Sequence, residues 1–346
     1  MATLTEVSFH TRRIIKWGAV GLVIVMLMPV AWRIIKTIYL TLNPPPPAAP
    51  TVKYGKLPKL LWPEADPNYK PQYRLETIEG GLPKLVNVAK VYFVSINKSR
   101  ILELERIKSR AAALGFAGDP EKVDDQTYVF KHTTNPATLT VDIIYNSYKY
   151  IYDWRSDAGI LEERSLPNNE QAVSEIKTLW QNLGLLADDL ANGRPKVTYW
   201  KLTGENLGLA LALSEADFVR VDLFRADKDE VKIVTSGGDV SPVNVTFSGT
   251  TDQGKRIVEA NYAYSRILDD TFSTYPLKTI DGAWQELQGG GGFIAKMAAN
   301  NVVIRKVALA YYESGQPQEF LQPVYVFEGD AGFMAYVPAV SQEYSQ

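Results

Sequence analysis

The side chains that most often carry chemistry are scarce in this sequence of 346 residues. There is no cysteine, which excludes disulfides, thiolate nucleophiles and cysteine-ligated metals. The two histidines are His10 and His132, and His10 precedes a long apolar segment, so histidine chemistry would depend on His132 alone. No G-x-S-x-G motif occurs, and the sequence KHTTNP around His132 is typical of an exposed loop. We therefore predict no catalytic residues and no enzyme activity.

Two other patterns are compatible with ligand binding but have simpler explanations. Carboxylates occur close together at three places: Asp188–Asp189, Asp269–Asp270, and Glu328 with Asp330. Such groups can serve acid–base or calcium chemistry, but none has EF-hand spacing, and solvated turns explain each of them. The glycine run Gly289–Gly292 follows a predicted helix and lacks the Lys-Ser/Thr of a phosphate-binding loop. The sequence thus predicts no metal and no cofactor.

The charge balance also excludes one class of partner. The formal net charge is −2 at pH 7, and no basic stripe stands out. A surface that binds phosphate backbones needs a clear basic excess. We therefore predict no nucleic-acid partner.

An apolar segment near the N-terminus has the length and flanks of a transmembrane helix. Residues 14–35 are predominantly apolar, and a bilayer needs roughly 20 such residues. Lys16 and Arg33 lie where basic side chains reach lipid headgroups, and Trp17 and Trp32 lie where aromatic belts form. A buried core helix and a cleaved signal peptide are the alternatives, but no small-x-small cleavage site follows the apolar run. We predict an uncleaved signal anchor in a lipid bilayer.

Basic residues on either side of this segment indicate its orientation. Arg12, Arg13 and Lys16 come before the apolar core, and Arg33 and Lys36 follow it, which favours a cytoplasmic N-terminus. The resulting assignment has a cytoplasmic tail at residues 1–13 and a transmembrane anchor at 14–42. Everything beyond is predicted to be extracytoplasmic.

The anchor is followed by residues that cannot continue a helix. Pro44–Pro47 are four consecutive prolines, and proline fixes φ and lacks an amide donor. Such a run favours polyproline II at about 3.1 Å per residue. We interpret residues 43–65 as a proline-rich stalk that holds a folded body away from the membrane.

The body shows three amphipathic helical patterns, two of which look like copies. They cover residues 99–114, 169–183 and about 280–288, with N-caps expected at Asn168 and Thr279. IKSRAAALGF (107–116) and IKTLWQNLGL (176–185) share isoleucine, lysine, leucine and glycine in register, 69 residues apart. Chance similarity of two amphipathic helices is the alternative to a true duplication.

Strand patterns follow each helix, which predicts the fold class. Alternating segments such as DFVRVDLFR indicate half-buried antiparallel strands on which a helix packs. We predict an α+β protein of repeated helix-on-antiparallel-sheet units of PepSY-like or cystatin-like form. The predicted regions are 66–190 and 191–346, the second with a C-terminal PepSY-like unit.

Aromatic residues cluster in the C-terminal strands. We predict that Tyr311, Tyr312, Tyr325 and Phe327 form a partner-binding face, because exposed tyrosines make good recognition surfaces. Core packing and cross-strand pairing are the alternative explanation.

Residues 272–340 resemble a known family. TYPLKTIDGAWQEL, VVIRKVALAYYES and EFLQPVYVFEG are similar to the PepSY-like modules of YycH/YycI-type membrane-anchored regulators. The resemblance implies an extracytoplasmic regulator of a sensor histidine kinase, and its motifs carry no functional residues over to this chain. The proline-rich stalk departs from that family.

Together these patterns favour a noncatalytic, membrane-anchored extracytoplasmic module at the cell membrane. It would bind or regulate another membrane or envelope protein, and homo-oligomerisation stays open. The alternatives are a structural subunit of a cell-envelope or secretion assembly and a tethered hydrolase.

Overall fold

The computed structural model describes residues 17–18, 22, 25–39, 49–95 and 103–346. The chain divides into two compact units, Met1–Ala49 and Pro50–Gln346. The second unit is a mixed α+β structure in which strands far outnumber helices. This observation confirms the predicted α+β class.

Most of the helices are short. We number the helix that includes residues 25–39 as α1, and the others are α2 (Glu103–Ala113), α3 (Asn169–Asn182), α4 (Asp188–Ala191) and α5 (Ile280–Gln288). The strands are β1 (Gln72–Leu75), β2 (Val88–Ser95), β3 (Glu121–Lys122), β4 (Thr127–Lys131), β5 (Ala137–Asp142), β6 (Ser147–Tyr152), β7 (Arg194–Thr203), β8 (Asn206–Leu209), β9 (Phe218–Phe224), β10 (Ile233–Thr235), β11 (Val243–Ser248), β12 (Ile257–Tyr262), β13 (Arg266–Pro276), β14 (Phe293–Lys296), β15 (Asn301–Glu313), β16 (Phe320–Gly329) and β17 (Met334–Pro338).

A nine-stranded antiparallel sheet has the order β3-β4-β5-β6-β12-β11-β9-β7-β8. Each half begins at or next to an outer edge with the strand that follows its helices, β3 after α2 and β7 after α3 and α4, and proceeds inward until β6 meets β12. The two halves are therefore arranged with approximate two-fold symmetry. The predicted division at residue 190 falls within this sheet, because strands from both sides of it pair at the centre.

The helices α2 and α3 occupy equivalent places in the two halves. Ile107 and Ile176 are both fully buried in the same core cluster. Each helix ends in a leucine followed by a glycine with positive φ, Gly115 (+90°) and Gly184 (+64°). Only glycine adopts such angles readily, so the shared glycine has a structural cause. The two copies seen in the sequence are equivalent at these positions.

The predicted helix boundaries agree with the structure where it describes them. The side chain of Asn168 caps α3 in a reciprocal capping box with Gln171, and Thr279 caps α5. Helix α2 is described from Glu103, so the predicted start at Ser99 lies outside the described residues. The caps were predictable because they depend on local spacing alone.

The eight-stranded sheet is built around β15 and β16, which form its longest antiparallel pairing. Its main path is β1-β15-β16-β17-β14, while β10 also pairs with β15 and β2 joins β16 to β13. Ala283 and Leu287 of α5 share a core with Tyr325 and Phe327 of β16. Helix α5 thus covers one face of this sheet.

A segment at the start of the second unit, residues 51–62, lies along the eight-stranded sheet; we call it the strap. Leu57 is fully buried, and its N–H donates to the carbonyl of Tyr344 at 2.8 Å. Trp62 stacks on Phe293 with ring centroids 5.3 Å apart. These residues were predicted to be part of the stalk at 43–65. In the structure they belong to the folded body, because Leu57 is buried in its core and Val52, Tyr54, Leu60 and Trp62 pack against that core.

Two charged contacts join the two sheets. The carboxylate of Asp239 accepts hydrogen bonds from Lys196 of β7 at 2.7 Å and from Lys296 of β14 at 2.8 Å. Arg225, directly after β9, lies 2.9 Å from Glu313 at the end of β15, measured from Nε to Oε1. Both arginine and glutamate side chains are largely buried. The relative position of the sheets therefore depends on buried or half-buried ion pairs.

In the first unit, every described residue is exposed, including the apolar side chains of α1. No helix among the described residues is long and apolar enough to cross a membrane. Much of the predicted anchor at 14–42 is described only in part or not at all, and the predicted tail at 1–13 lies outside the described residues.

Candidate interaction surface

The two faces of the nine-stranded sheet differ in what covers them. Side chains that point toward α2 and α3, such as Leu139, Val221 and Val245, are fully buried. On the opposite face, Lys149 is exposed and Ile151 is 42% exposed. We call this second side of the sheet the open face.

The open face ends at β8, which pairs with β7 and with no other described strand. The N–H of Ala210 donates to the carbonyl of Tyr199, at 2.9 Å. Hydrogen-bonded pairs alternate along an antiparallel ladder, so the backbone groups of Leu207 and Leu209 point away from β7. These groups are available to another strand.

The edge strand is also apolar. Leu209 is 69% exposed and Leu211 is 95% exposed, and the sequence 206–213 (NLGLALAL) has no charge and no proline. Natural proteins usually protect edge strands with charges, prolines or bulges. An unprotected apolar edge in a folded unit is a candidate binding surface.

A row of apolar side chains continues from this edge across the open face. Leu209 is the cross-strand partner of Trp200, which is half-buried and is itself the partner of Phe218, which is only 1% exposed. Trp154 packs on Phe218 with ring centroids 5.0 Å apart. We call Leu209, Trp200, Phe218 and Trp154 the apolar row.

A cleft of about 510 Å³ lies beside the apolar row. Arg220 lines it and donates to Asp222 at 3.2 Å through Nη2, while its buried Nε makes no hydrogen bond. Burial raises the pKa of Asp222, and Arg220 opposes that rise. The Arg220 guanidinium therefore has a buried N–H without an acceptor next to the cleft.

Other charges around the cleft add to its positive character. The guanidinium of Arg155 lies 4.2 Å from the Trp154 ring, and Lys149 and Arg155 make no ion pair with any described residue. Asp153 and Glu259 also line the cleft, so its lining has three basic and two acidic side chains, and Glu259 accepts a hydrogen bond from Asn261 at 2.8 Å. A chain that carries apolar side chains and a carboxylate or carbonyl acceptor would match this arrangement.

The predicted aromatic face lies elsewhere and is inaccessible. Tyr311, Tyr312, Tyr325 and Phe327 are each at most 3% exposed. Tyr312 donates to the carbonyl of Leu61 in the strap, and Tyr325 donates to the carbonyl of Lys278. The hydroxyls of Tyr312 and Tyr325 are thus satisfied inside the protein, and all four side chains are buried, so they form core and not a partner surface.

The predicted membrane-interface residues are described in part. Trp17 and Trp32 are each 69% exposed, Arg33 is exposed on α1, and Lys16 lies outside the described residues. No group of three or more histidine, aspartate or glutamate side chains in the described ranges is placed to hold a metal.

Sequence reasoning missed the edge strand and Arg220. The signal was present in the leucines of NLGLALAL, which recur at every second position without an intervening charge. That period fits a strand, but it does not show that the strand lies at an edge.

Comparison with known proteins adds only a general likeness. No protein-family model matches the chain, and no curated protein matches it. The chain is similar to an uncharacterized protein from Eubacterium rectale, with 11% identity, a TM-score of 0.40 and coverage of 75% of this chain and 84% of that one. It is also similar to the Bacillus megaterium YpeB C-terminal domain, with 11% identity, a TM-score of 0.27 and coverage of 71% and 95%. Likeness at this level supports no argument about function.

Proposed function

We propose that this protein is a noncatalytic, membrane-anchored extracytoplasmic module that binds another membrane or envelope protein. Binding occurs by addition of an extended segment of the partner to β8. The observation that carries this proposal is the unprotected edge, with Leu209 and Leu211 exposed and continuous with the apolar row.

The membrane anchor rests on the composition and exposure of the N-terminal segment. Apolar side chains on α1 are exposed around its circumference, for example Met26 (72%), Leu27 (59%) and Ile35 (61%). A helix that is apolar on all sides needs an apolar environment, which a bilayer supplies. With the basic residues before the anchor, this supports a cytoplasmic N-terminus and a body outside the cytoplasm.

The bound segment would use both the backbone and the side chains of the surface. The outward N–H and C=O groups of Leu207 and Leu209 pair with the partner's backbone. Alternate apolar side chains of the partner pack on Trp200 and Leu209. An acidic group of the partner pairs with Lys149 or Arg155, which line the cleft and make no ion pair with any described residue.

The resemblance of residues 272–340 to PepSY-like regulatory modules suits this function. The elements that carry the resemblance form α5, β15 and β16 as expected from the sequence. On this proposal they provide a rigid platform, because the aromatic side chains of β15 and β16 are buried. Recognition is assigned to the other sheet.

Photo-crosslinking in native membranes tests the proposal. The photoreactive residue p-benzoylphenylalanine replaces Leu211 in the full chain, and a second variant carries it at Val123. Val123 is 62% exposed and follows β3 at the opposite edge of the same sheet, so it is a matched control.

The expected result is a crosslink to one envelope protein from position 211 that is absent from position 123. Adding Leu209→Lys should remove it, because a lysine replaces an apolar contact at the edge. Equal crosslinking from both positions, or a crosslink that survives Leu209→Lys, would overturn the proposal.

One observation also favours a structural subunit of an envelope assembly as a second candidate. Residues 206–213 carry no charge, so two copies of β8 can approach without like-charge repulsion. Recovery of this chain alone, in multimers, from the crosslink at position 211 would select that function.

A further inference from the structure

A cavity of about 390 Å³ lies on the other side of the nine-stranded sheet, between the C-terminal ends of α2 and α3. Its floor is formed by the sheet residues Leu139, Tyr148, Tyr150 and Ala260. This volume is within the range of small-molecule sites, roughly 300–1,000 Å³. The cavity is separate from the open face, because it lies on the helix-covered side.

Two nearly buried side chains that line the cavity have polar groups without partners. Trp180 is 2% exposed, and its Nε1–H makes no hydrogen bond. Tyr150 is 8% exposed, and its hydroxyl makes no hydrogen bond with any described residue. The buried Nε1–H of Trp180 is unusual, because buried polar groups are normally paired and an unpaired one costs roughly 1–3 kcal/mol. The neighbouring Tyr148 shows the ordinary case, since its hydroxyl bonds both Arg110 and Asn146.

His132 adds a third donor to the cavity lining. Its Nδ1 accepts from the backbone N–H groups of Thr134 at 3.2 Å and Asn135 at 3.1 Å. In the neutral ring the proton is therefore on Nε2. Gly115 leaves this nitrogen accessible, because a Cβ at that residue would lie 3.0 Å from it.

The remaining lining determines what charge a ligand can carry. No Asp, Glu, Lys or Arg side chain lines the cavity, and its walls are mainly aromatic and aliphatic. An ionised ligand would lose its hydration without gaining a counter-charge. Burial raises the pKa of Tyr150 to about 12, so its hydroxyl stays protonated and able to donate.

We propose that this cavity binds an uncharged, largely apolar small molecule that presents a carbonyl-type hydrogen-bond acceptor. The apolar part packs against Leu139 and the aromatic rings, and the acceptor takes hydrogen bonds from the hydroxyl of Tyr150 and from Nε2 of His132. This site is independent of the surface at β8.

Three aromatic probes of similar size test the proposal. Acetophenone carries a neutral carbonyl, ethylbenzene carries no acceptor, and benzoate carries a charge. The full chain is labelled with 5-fluorotryptophan, and the ¹⁹F resonance of Trp180 is identified by its loss in Trp180→Phe. Each probe is titrated while that resonance is followed.

Acetophenone should give a saturable shift of the Trp180 resonance. Ethylbenzene should bind about 3- to 10-fold more weakly, which corresponds to one net hydrogen bond. Benzoate should bind more weakly than acetophenone because its carboxylate would be buried without a counter-ion. Tyr150→Phe should weaken the binding of acetophenone by a similar factor and leave the affinity for ethylbenzene unchanged.

Tyr150→Phe is a conservative test, because the hydroxyl that it removes has no partner in the protein. Absence of a saturable shift would overturn the proposal. Equal affinities for the three probes, or equal effects of Tyr150→Phe on acetophenone and ethylbenzene, would also overturn it.

Discussion

Removing Arg225 should destabilise the protein more than removal of any ordinary surface charge. Its side chain is 2% exposed and lies near two carboxylates, 2.9 Å from Glu313 and 3.2 Å from Asp189. It also donates to the carbonyl of Ser265 and lies 4.0 Å from the Tyr264 ring. Arg225→Met keeps the volume but leaves a buried carboxylate without its cation.

The expected cost can be estimated from these contacts. Breaking a buried ion pair by removing one partner costs about 3–5 kcal/mol. A unit of this size has an unfolding entropy of about 0.6 kcal/mol/K, so about 4 kcal/mol lowers Tm by about 6 °C. Glu313→Gln should cost less, because burial raises the pKa of Glu313 and already disfavours its charge.

Urea unfolding of the full chain, followed by tryptophan fluorescence, measures these costs. Lys306→Met is the control, since Lys306 pairs with Glu328 at 3.6 Å while its side chain is 54% exposed, and it should cost less than about 1 kcal/mol. The double variant Arg225→Met/Glu313→Gln should be more stable than the sum of the single changes predicts. Additive effects, or an Arg225→Met cost no greater than that of the control, would refute the reasoning.

Three further changes test other parts of the fold. Leu57→Ala should cost about 2–5 kcal/mol in urea unfolding, because Leu57 is fully buried, and a cost under about 1 kcal/mol would contradict its place in the core. Gly193→Ala should cost about 2–3 kcal/mol or more, since the new Cβ would lie 1.9 Å from the carbonyl oxygen of Phe224, and an unchanged Tm would contradict that close approach. Asp239→Asn should reduce stability by less than about 1 kcal/mol at neutral pH, because the pair is half exposed. Burial raises the pKa of Asp239, but Lys196 and Lys296 outweigh this effect and lower that pKa below 3.8. The difference in the free energy of unfolding between the unsubstituted protein and Asp239→Asn should therefore persist above pH 4 and disappear as the pH falls below 4. A difference that instead grows below pH 4 would contradict this assignment.

Features that depend on neighbouring residues were predictable from the sequence. The caps at Asn168 and Thr279 follow from residue type and spacing over four positions. The glycines at 115 and 184 mark helix ends because each occupies a conformation that other residues adopt at a cost. Strand periodicity likewise identified the α+β class.

Features that depend on distant residues were not predictable. Alternating tyrosines fit both an exposed and a buried strand, and burial of Tyr325 follows from α5 and the strap, which no local pattern specifies. Trp62 belongs to the core because it stacks on Phe293, which lies more than 200 residues away in sequence. The pairing of β6 with β12 crosses the predicted domain boundary for the same reason.

Hydrogen exchange at the edge strand tests the central claim most directly. The outward amides of Leu207 and Leu209 should exchange rapidly in the purified full chain and slowly in native membranes, where the partner is present. The opposite edge strand, β3, should exchange at the same rate in both settings. Equal exchange of Leu207 and Leu209 in the two preparations would contradict binding at this edge.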